Sequence, residues 1–242
     1  MKVSISPDCE RVIVHRMDPV HQRGPVFYAS LARENENCRD LLVSALWDHL
    51  LAVGSPLRPY CQSSRGAALP IQLAYGLLGR PHLLVGESPG PAISFSEGSG
   101  RVWAALSGDE SDIGIDVAGT DEFHKEYPFQ RVFQPHELQH ALMLTGGDPA
   151  EASALLWSVK EAVVKALGCA FHLVEPRHIN VYPSAGGMAG EGEGYGFSVG
   201  LTGKARERFP LADSRSLWVH SRPLGTMWLS IALLDRSATG HE

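Results

Sequence analysis

With 242 residues, 44% of them hydrophobic, the chain is long enough for one large domain or two modest ones around a sizeable core. Its net charge of −6 excludes a general nucleic-acid binder that relies on a basic surface, while leaving room for a local basic pocket. The four cysteines, Cys9, Cys38, Cys61 and Cys169, are scattered and form no CxxC pair; no signal-like segment follows Met1, and no apolar run reaches the ~18 residues of a membrane span, so free thiols and a cytoplasmic location are expected.

In chain order, a strand is expected around Arg11–His15, followed by a polar loop punctuated by Pro19, Gly24 and Pro25. From about Glu36 to Val53 the apolar residues Leu41, Leu42, Ala45, Leu46 and Leu50 recur at helical spacing, and Gly54, Ser55 and Pro56 end the helix. Arg33 and Arg39 read as a solvated first turn. Leu57–Gly66 reads as a loop, Ile71–Tyr75 as a short strand, and Gly79–Pro81 as a turn that fixes Arg80 beside a rigid proline. A linker over Gly86–Pro91 leads into three strands, Ala92–Ser96, Val102–Leu106 and Ile113–Val117, the first two joined as a hairpin through Glu97–Gly100. On the third, Asp116 points away from the side taken by Ile115 and Val117.

Pro135 suits the first turn of a helix running through Leu144, and Gly146, Gly147 and Pro149 separate it from a second helix that begins near Ala150 and ends at Gly168. Leu155, Val159, Ala162, Val163 and Ala166 give that second helix an apolar face. At about 100° per residue, Trp157, Glu161 and Lys165 form another stripe with Lys160 at its edge. Taken alone, Glu161 and Lys165 are an i,i+4 surface pair worth about 0.2–0.5 kcal/mol. Strands are expected over Arg177–Val181, Tyr195–Leu201, Leu217–His220 and Thr226–Leu234, with a glycine-rich loop or hairpin tip over Ala185–Gly196. The order implies α+β with antiparallel sheets rather than alternating βαβ units.

Two motifs compete for attention. His136–Glu137–Leu138–Gln139–His140 spells H-E-x-x-H, the helical spacing of two zinc ligands, with Glu161 placed 21 residues beyond as a third. Pro135 sets His136 in the first turn, a poor place for a rigid metal site. The G-x-G-x-G run at Gly192–Gly196 lacks the strand before and helix after that a dinucleotide fingerprint requires.

Four pieces in one order carry more: Y-G-L-L-G-R-P-H at Tyr75–His82, I-S-F-S at Ile93–Ser96, G-I-D-V at Gly114–Val117, and F-x-x-x-E with W-S-V-K-E-A-x-x-K at Phe133–Glu137 and Trp157–Lys165. Together they resemble the 4′-phosphopantetheinyl transferases of the Sfp type, over roughly Arg39 to Lys165. The resemblance implies a pseudo-twofold, two-lobed α+β fold, each lobe a helix packed on an antiparallel sheet, with residues 1–111 as the coenzyme lobe and 112–242 as the metal and catalytic lobe. It implies a monomer that transfers the phosphopantetheine arm of coenzyme A to a serine of an apo acyl or peptidyl carrier protein, with Mg²⁺, releasing 3′,5′-ADP; no nucleic acid or membrane takes part.

By position in these motifs, Asp116 and Glu161 match the metal ligands, and magnesium favours a few carboxylates plus substrate phosphates and water. Lys165 matches the lysine at the diphosphate, and Glu161, or a water held by the metal, takes the serine proton. Arg80, beside Pro81, would meet the 3′-phosphate, Ser94 would donate to the same group, and Lys160 is assigned to phosphate or orientation. Glu137 matches a carboxylate near the active site. Arg131, Phe129 and Met143 are candidates for carrier contact from their place near the second-half helices.

Two departures stand out. Ala118 occupies a position where the family often has a further acid, and Phe95 stands where a histidine is usual, so that a phosphate or adenine contact is lost or replaced by stacking. A higher Mg²⁺ requirement and weaker discrimination against 3′-dephospho-coenzyme A follow, with Ala118→Glu and Phe95→His expected to tighten both. The same two positions favour an alternative, a catalytically degenerate member that only binds coenzyme A or a carrier protein; a zinc metalloprotease is the third reading.

Overall fold

The computed structural model describes residues 12–17, 25–35, 37–53, 69–76, 79–123, 128–188, 194–210, 212 and 217–235. Its first half runs β1 (His15–Met17), β2 (Val26–Ala32), α1 (Cys38–Val53), β3 (Ile71–Tyr75), β4 (Pro81–Val85), β5 (Ser88–Pro89), β6 (Ile93–Gly98) and β7 (Arg101–Ser107). A four-stranded antiparallel sheet has the order β1-β2-β7-β6, and β3-β4-β5 form a small separate sheet. Helix α1 packs on β2 and β7, burying Leu42, Leu46 and Leu50 against Phe27 and Leu106. Cys38 and Cys169 are free thiols, Cys38 buried at the start of α1.

The second half opens with β8 (Asp112–Gly119) and a 3-10 turn at Thr120–Glu122, then α2 (Phe129–Val132), α3 (Pro135–Leu144) and α4 (Pro149–Ala166). After a second 3-10 turn at Pro176–His178 come β9 (Ile179–Met188), β10 (Tyr195–Leu201), α5 (Gly203–Arg208), β11 (Leu217–Leu224) and β12 (Met227–Leu234). The five strands pair antiparallel in the order β8-β12-β11-β10-β9. The fold is α+β: one helix lies on each large sheet, and the two sheets meet through an apolar layer of Val26, Tyr28 and Trp103 against Ile113, Ile115, Leu229 and Ile231.

Local chemistry explains where α4 begins and ends. The Asp148 carboxylate accepts from the backbone N–H of Ala150 at 2.8 Å and of Glu151 at 3.3 Å, and Pro149 fills the first helical position, which needs no N–H. Gly168, at φ +72°, closes the C-terminus while Cys169 N–H reaches back to Val164 O at 2.9 Å. Between these ends α4 crosses β8 and β12, and a Cβ on Gly114 would collide with the carbonyl of Ala162. Glycine at that one position lets helix and strand approach closely enough for their side chains to share a site.

Several expectations shift in extent. The strand expected at Arg11–His15 lies at His15–Met17, with Arg11 outside the described residues, as is the Leu57–Gly66 loop. β8 continues to Gly119, so Asp116 sits within the strand rather than at its end. β9 continues to Met188, beyond the expected start of a loop at Ala185. No helix among the described residues is long and apolar enough to cross a membrane.

Candidate functional site

Asp116 and Ala118 point from β8 toward α4, while Ile115 and Val117 join the layer between the sheets. Asp116 is 6% exposed; its Oδ1 accepts from Lys165 Nζ at 2.7 Å and from Ser96 Oγ at 2.8 Å. Lys165 also donates to the Ile115 carbonyl at 3.1 Å, which leaves one of its three N–H groups for a ligand. Glu161, one turn before Lys165, is pushed up from the ordinary glutamate value near 4.5 to about 7. Burial is the main cause and the negative charge of Asp116 the next; Glu122 adds to it and Lys165 opposes it. Nothing in the sequence around Glu122 marks it as part of the site. It lies on the turn after β8, where its Oε1 accepts from Gly119 N–H at 3.0 Å.

A cleft of about 230 Å³ opens beside this pair, lined by Arg80, Pro81, Ser94 and Phe95 from the first half and by Lys165, Gly168 and Cys169 from the second. Cys169 is a poor nucleophile there, since burial pushes its thiol up to about 11. The Arg80 guanidinium donates from Nη2 to Asp112 Oδ1 at 2.7 Å and rests on Gly168, whose missing Cβ leaves it room. Ser94 Oγ accepts from Ile115 N–H at 3.1 Å, so its own proton is available to the cleft.

Arg39 also lines the cleft, contrary to its reading as a solvated first turn. Its guanidinium sits 5.4 Å from the Phe95 ring centroid and donates to Tyr75 Oη at 3.1 Å and Glu97 Oε1 at 3.0 Å; the bond to Tyr75, then that to Glu97, raises its pKa. Phe95 is thus the platform under a cation. Partners 36 and 58 positions away leave no local pattern, so nothing in the sequence around Arg39 distinguishes it from an exposed helical arginine.

Lys160 requires a correction. It is fully buried on the far side of α4, where its ammonium donates to Glu137 Oε2, Pro176 O and Ile179 O, each at 2.8 Å, and to Val132 O at 3.3 Å. No edge of it is open to a phosphate; Lys160 is an internal strut. Glu137, 1% exposed, is its partner rather than a group in the cleft. The remaining Glu137 contacts are Gln134 N–H and Val181 N–H, both at 2.8 Å. The glutamate of the H-E-x-x-H letters is therefore committed to structure, and His136 stacks on Tyr182 instead of turning inward. Among the described residues no three His, Cys, Asp or Glu side chains are gathered as a metal cage. Two carboxylates whose mutual repulsion raises Glu161 nevertheless suit a hard cation that takes its other ligands from water and phosphate.

Of the residues considered for carrier contact, Met143 is 68% exposed on α3 and Arg131 is exposed on α2, whereas Phe129 packs partly against the core of the second half. Ala118 is 1% exposed within that same apolar cluster. Ala118→Glu therefore carries a cost besides its expected effect on Mg²⁺ dependence, because a new carboxylate there must be desolvated. The variant should lose about 3 kcal/mol in metal-free protein, a fall in Tm of about 6–12 °C for a chain of this size, read by thermal denaturation without added metal.

Residues 112–191, about a third of the chain, match the family model described as the 4′-phosphopantetheinyl transferase superfamily. No curated protein matches the chain. Among solved structures, it is similar to the holo-[acyl-carrier-protein] synthase of Neisseria meningitidis at 18% identity and a TM-score of 0.39, over 52% of this chain and 98% of that one.

Proposed function

We propose that the chain transfers the phosphopantetheine arm of coenzyme A to a serine of an apo acyl or peptidyl carrier protein; the match of residues 112–191, which hold Asp116, Glu161 and Lys165, to the model of the 4′-phosphopantetheinyl transferase superfamily supports this reading. The observation that carries this reading is the convergence of Arg80, Ser94 and Phe95 with Lys165 on one cleft, next to the acidic pair Asp116 and Glu161.

In this reading Arg80 and Arg39 hold the phosphate at the nucleotide end, and the Ser94 hydroxyl donates to it. The carrier serine oxygen forms a bond to the phosphorus next to pantetheine. The bond from that phosphorus to the bridging oxygen breaks, and its electron pair leaves with 3′,5′-ADP. Glu161, on α4 one turn before Lys165, takes the serine proton in this reading. The remaining Lys165 N–H faces the charge that develops on the leaving phosphate. Asp116 and Glu161 would hold magnesium, which when bound supplies charge neutralisation for the diphosphate.

Mass spectrometry of an apo carrier protein incubated with this protein, coenzyme A and Mg²⁺ tests the reading directly. The carrier should gain one phosphopantetheine arm on its serine. Unchanged mass across several acyl and peptidyl carriers, with coenzyme A still bound by the protein, would leave the binding-only alternative in its place.

A further inference from the structure

Asp112 has no part in the chemistry above, yet it is the residue that fixes Arg80. It opens β8, four residues before Asp116, and belongs to the second sheet, whereas Arg80 stands at the turn before β4 in the first half. Their 2.7 Å ion pair joins a carboxylate with a 9% exposed side chain to a guanidinium with a 40% exposed one. One end is anchored inside the protein and the other reaches the cleft. The second support is Gly168, at the end of the helix that carries Lys165; a Cβ there would overlap Nη1 and lie 2.8 Å from Cζ of Arg80. Arg80 is thus referenced to both elements of the acidic pair, through the start of β8 and the end of α4.

A guanidinium has five N–H donors in a rigid fork, and Asp112 engages one edge of it. The other edge remains to meet an anion in the cleft. An arginine without such an anchor must be ordered by the ligand itself, which weakens binding. We infer that Asp112 is a positioning residue that, by holding Arg80 across the seam between the two sheets, sets how strongly the cleft prefers a coenzyme end bearing a 3′-phosphate. This rests on the assignment of the cleft to coenzyme A.

The test is calorimetric binding of coenzyme A and of 3′-dephospho-coenzyme A to the full chain and to Asp112→Asn, which keeps the volume and an acceptor oxygen but removes the charge. Asp112→Ser is the companion if the first variant is poorly folded, and circular dichroism checks both. The preference for the 3′-phosphorylated form should fall about tenfold in either variant, with 3′-dephospho-coenzyme A bound as before. In an Arg80→Gln background, Asp112→Asn should leave the preference where Arg80→Gln alone puts it. An unchanged preference, a stronger one, or a further fall in the Arg80→Gln background would overturn the inference. If the unaltered protein binds neither ligand, it is the assignment of the cleft that fails.

Discussion

Lys160→Met should destabilise the protein by about 3–5 kcal/mol, a fall in Tm of roughly 6–20 °C, although the side chain never reaches the cleft. The substitution leaves the Glu137 carboxylate in the interior with only the Gln134 and Val181 N–H groups, and strands the carbonyls of Val132, Pro176 and Ile179. The ion pair ties α4 at once to the start of α3, to the 3-10 turn before β9 and to β9 itself, so its loss should loosen the second half as a unit. Urea denaturation of Lys160→Met measures the cost. Glu137→Leu introduced together with it should recover a good part, since an apolar pair of similar volume leaves no charge unpaired. A loss under 1 kcal/mol would mean that water reaches the pair.

Glu161→Gln should reduce turnover by about a thousandfold while making the metal-free protein more stable above neutral pH. In the unfolded chain Glu161 ionises near its ordinary value of 4.5, whereas in the folded protein it keeps its proton until about 7, because of burial and then of Asp116. Between those values the folded state binds more protons, so stability falls as pH rises from about 4.5 through about 7 and then levels off. Glutamine removes that slope. Tm measured on both proteins from pH 4 to 9 without metal should diverge in favour of Glu161→Gln as pH passes 7. Added Mg²⁺ should raise the Tm of the unaltered protein at pH 8 and leave Glu161→Gln little changed. Parallel melting curves, or turnover within tenfold of the unaltered enzyme, would remove Glu161 from its proposed role.

The sequence made some of this site legible because part of it is local. Glu161 and Lys165 share a helical stripe, and Asp116 is an acid among β-branched residues. Both patterns depend only on the repeat of their own element. The same local repeat misplaces Lys160: helical geometry puts it at the edge of the stripe, but α3 and the turn at Pro176–His178 close over that edge. Arg39 reads as a solvated first turn, and Asp112 and Glu122 carry no local signal, because each acquires its meaning from a distant partner or from the packing of a turn against α4.

The missing strands have a comparable explanation. In β2, Phe27 and Leu31 face α1 while Val26 and Tyr28 face the other sheet, so burial on both sides removes the alternation that announces a strand. β4 lies between the turn read at Gly79–Pro81 and the linker read over Gly86–Pro91, and its short P-H-L-L-V sequence shows no apolar–polar alternation. The short α5 has four charged residues of six and buries only Ala205, too little for a helical period to register.

The serines of β6 have a consequence beyond the cleft. β6 and β8 are each the last strand of their sheet, and such strands carry rows of unpaired backbone groups that recruit other chains. Here Ser94 and Ser96 accept from the Ile115 and Val117 N–H groups, and Lys165 takes the Ile115 carbonyl. Side chains stopper the rim of β8 where another polypeptide would otherwise add a strand. Residues that shape the cleft therefore also occupy backbone groups that an edge strand otherwise offers to other chains.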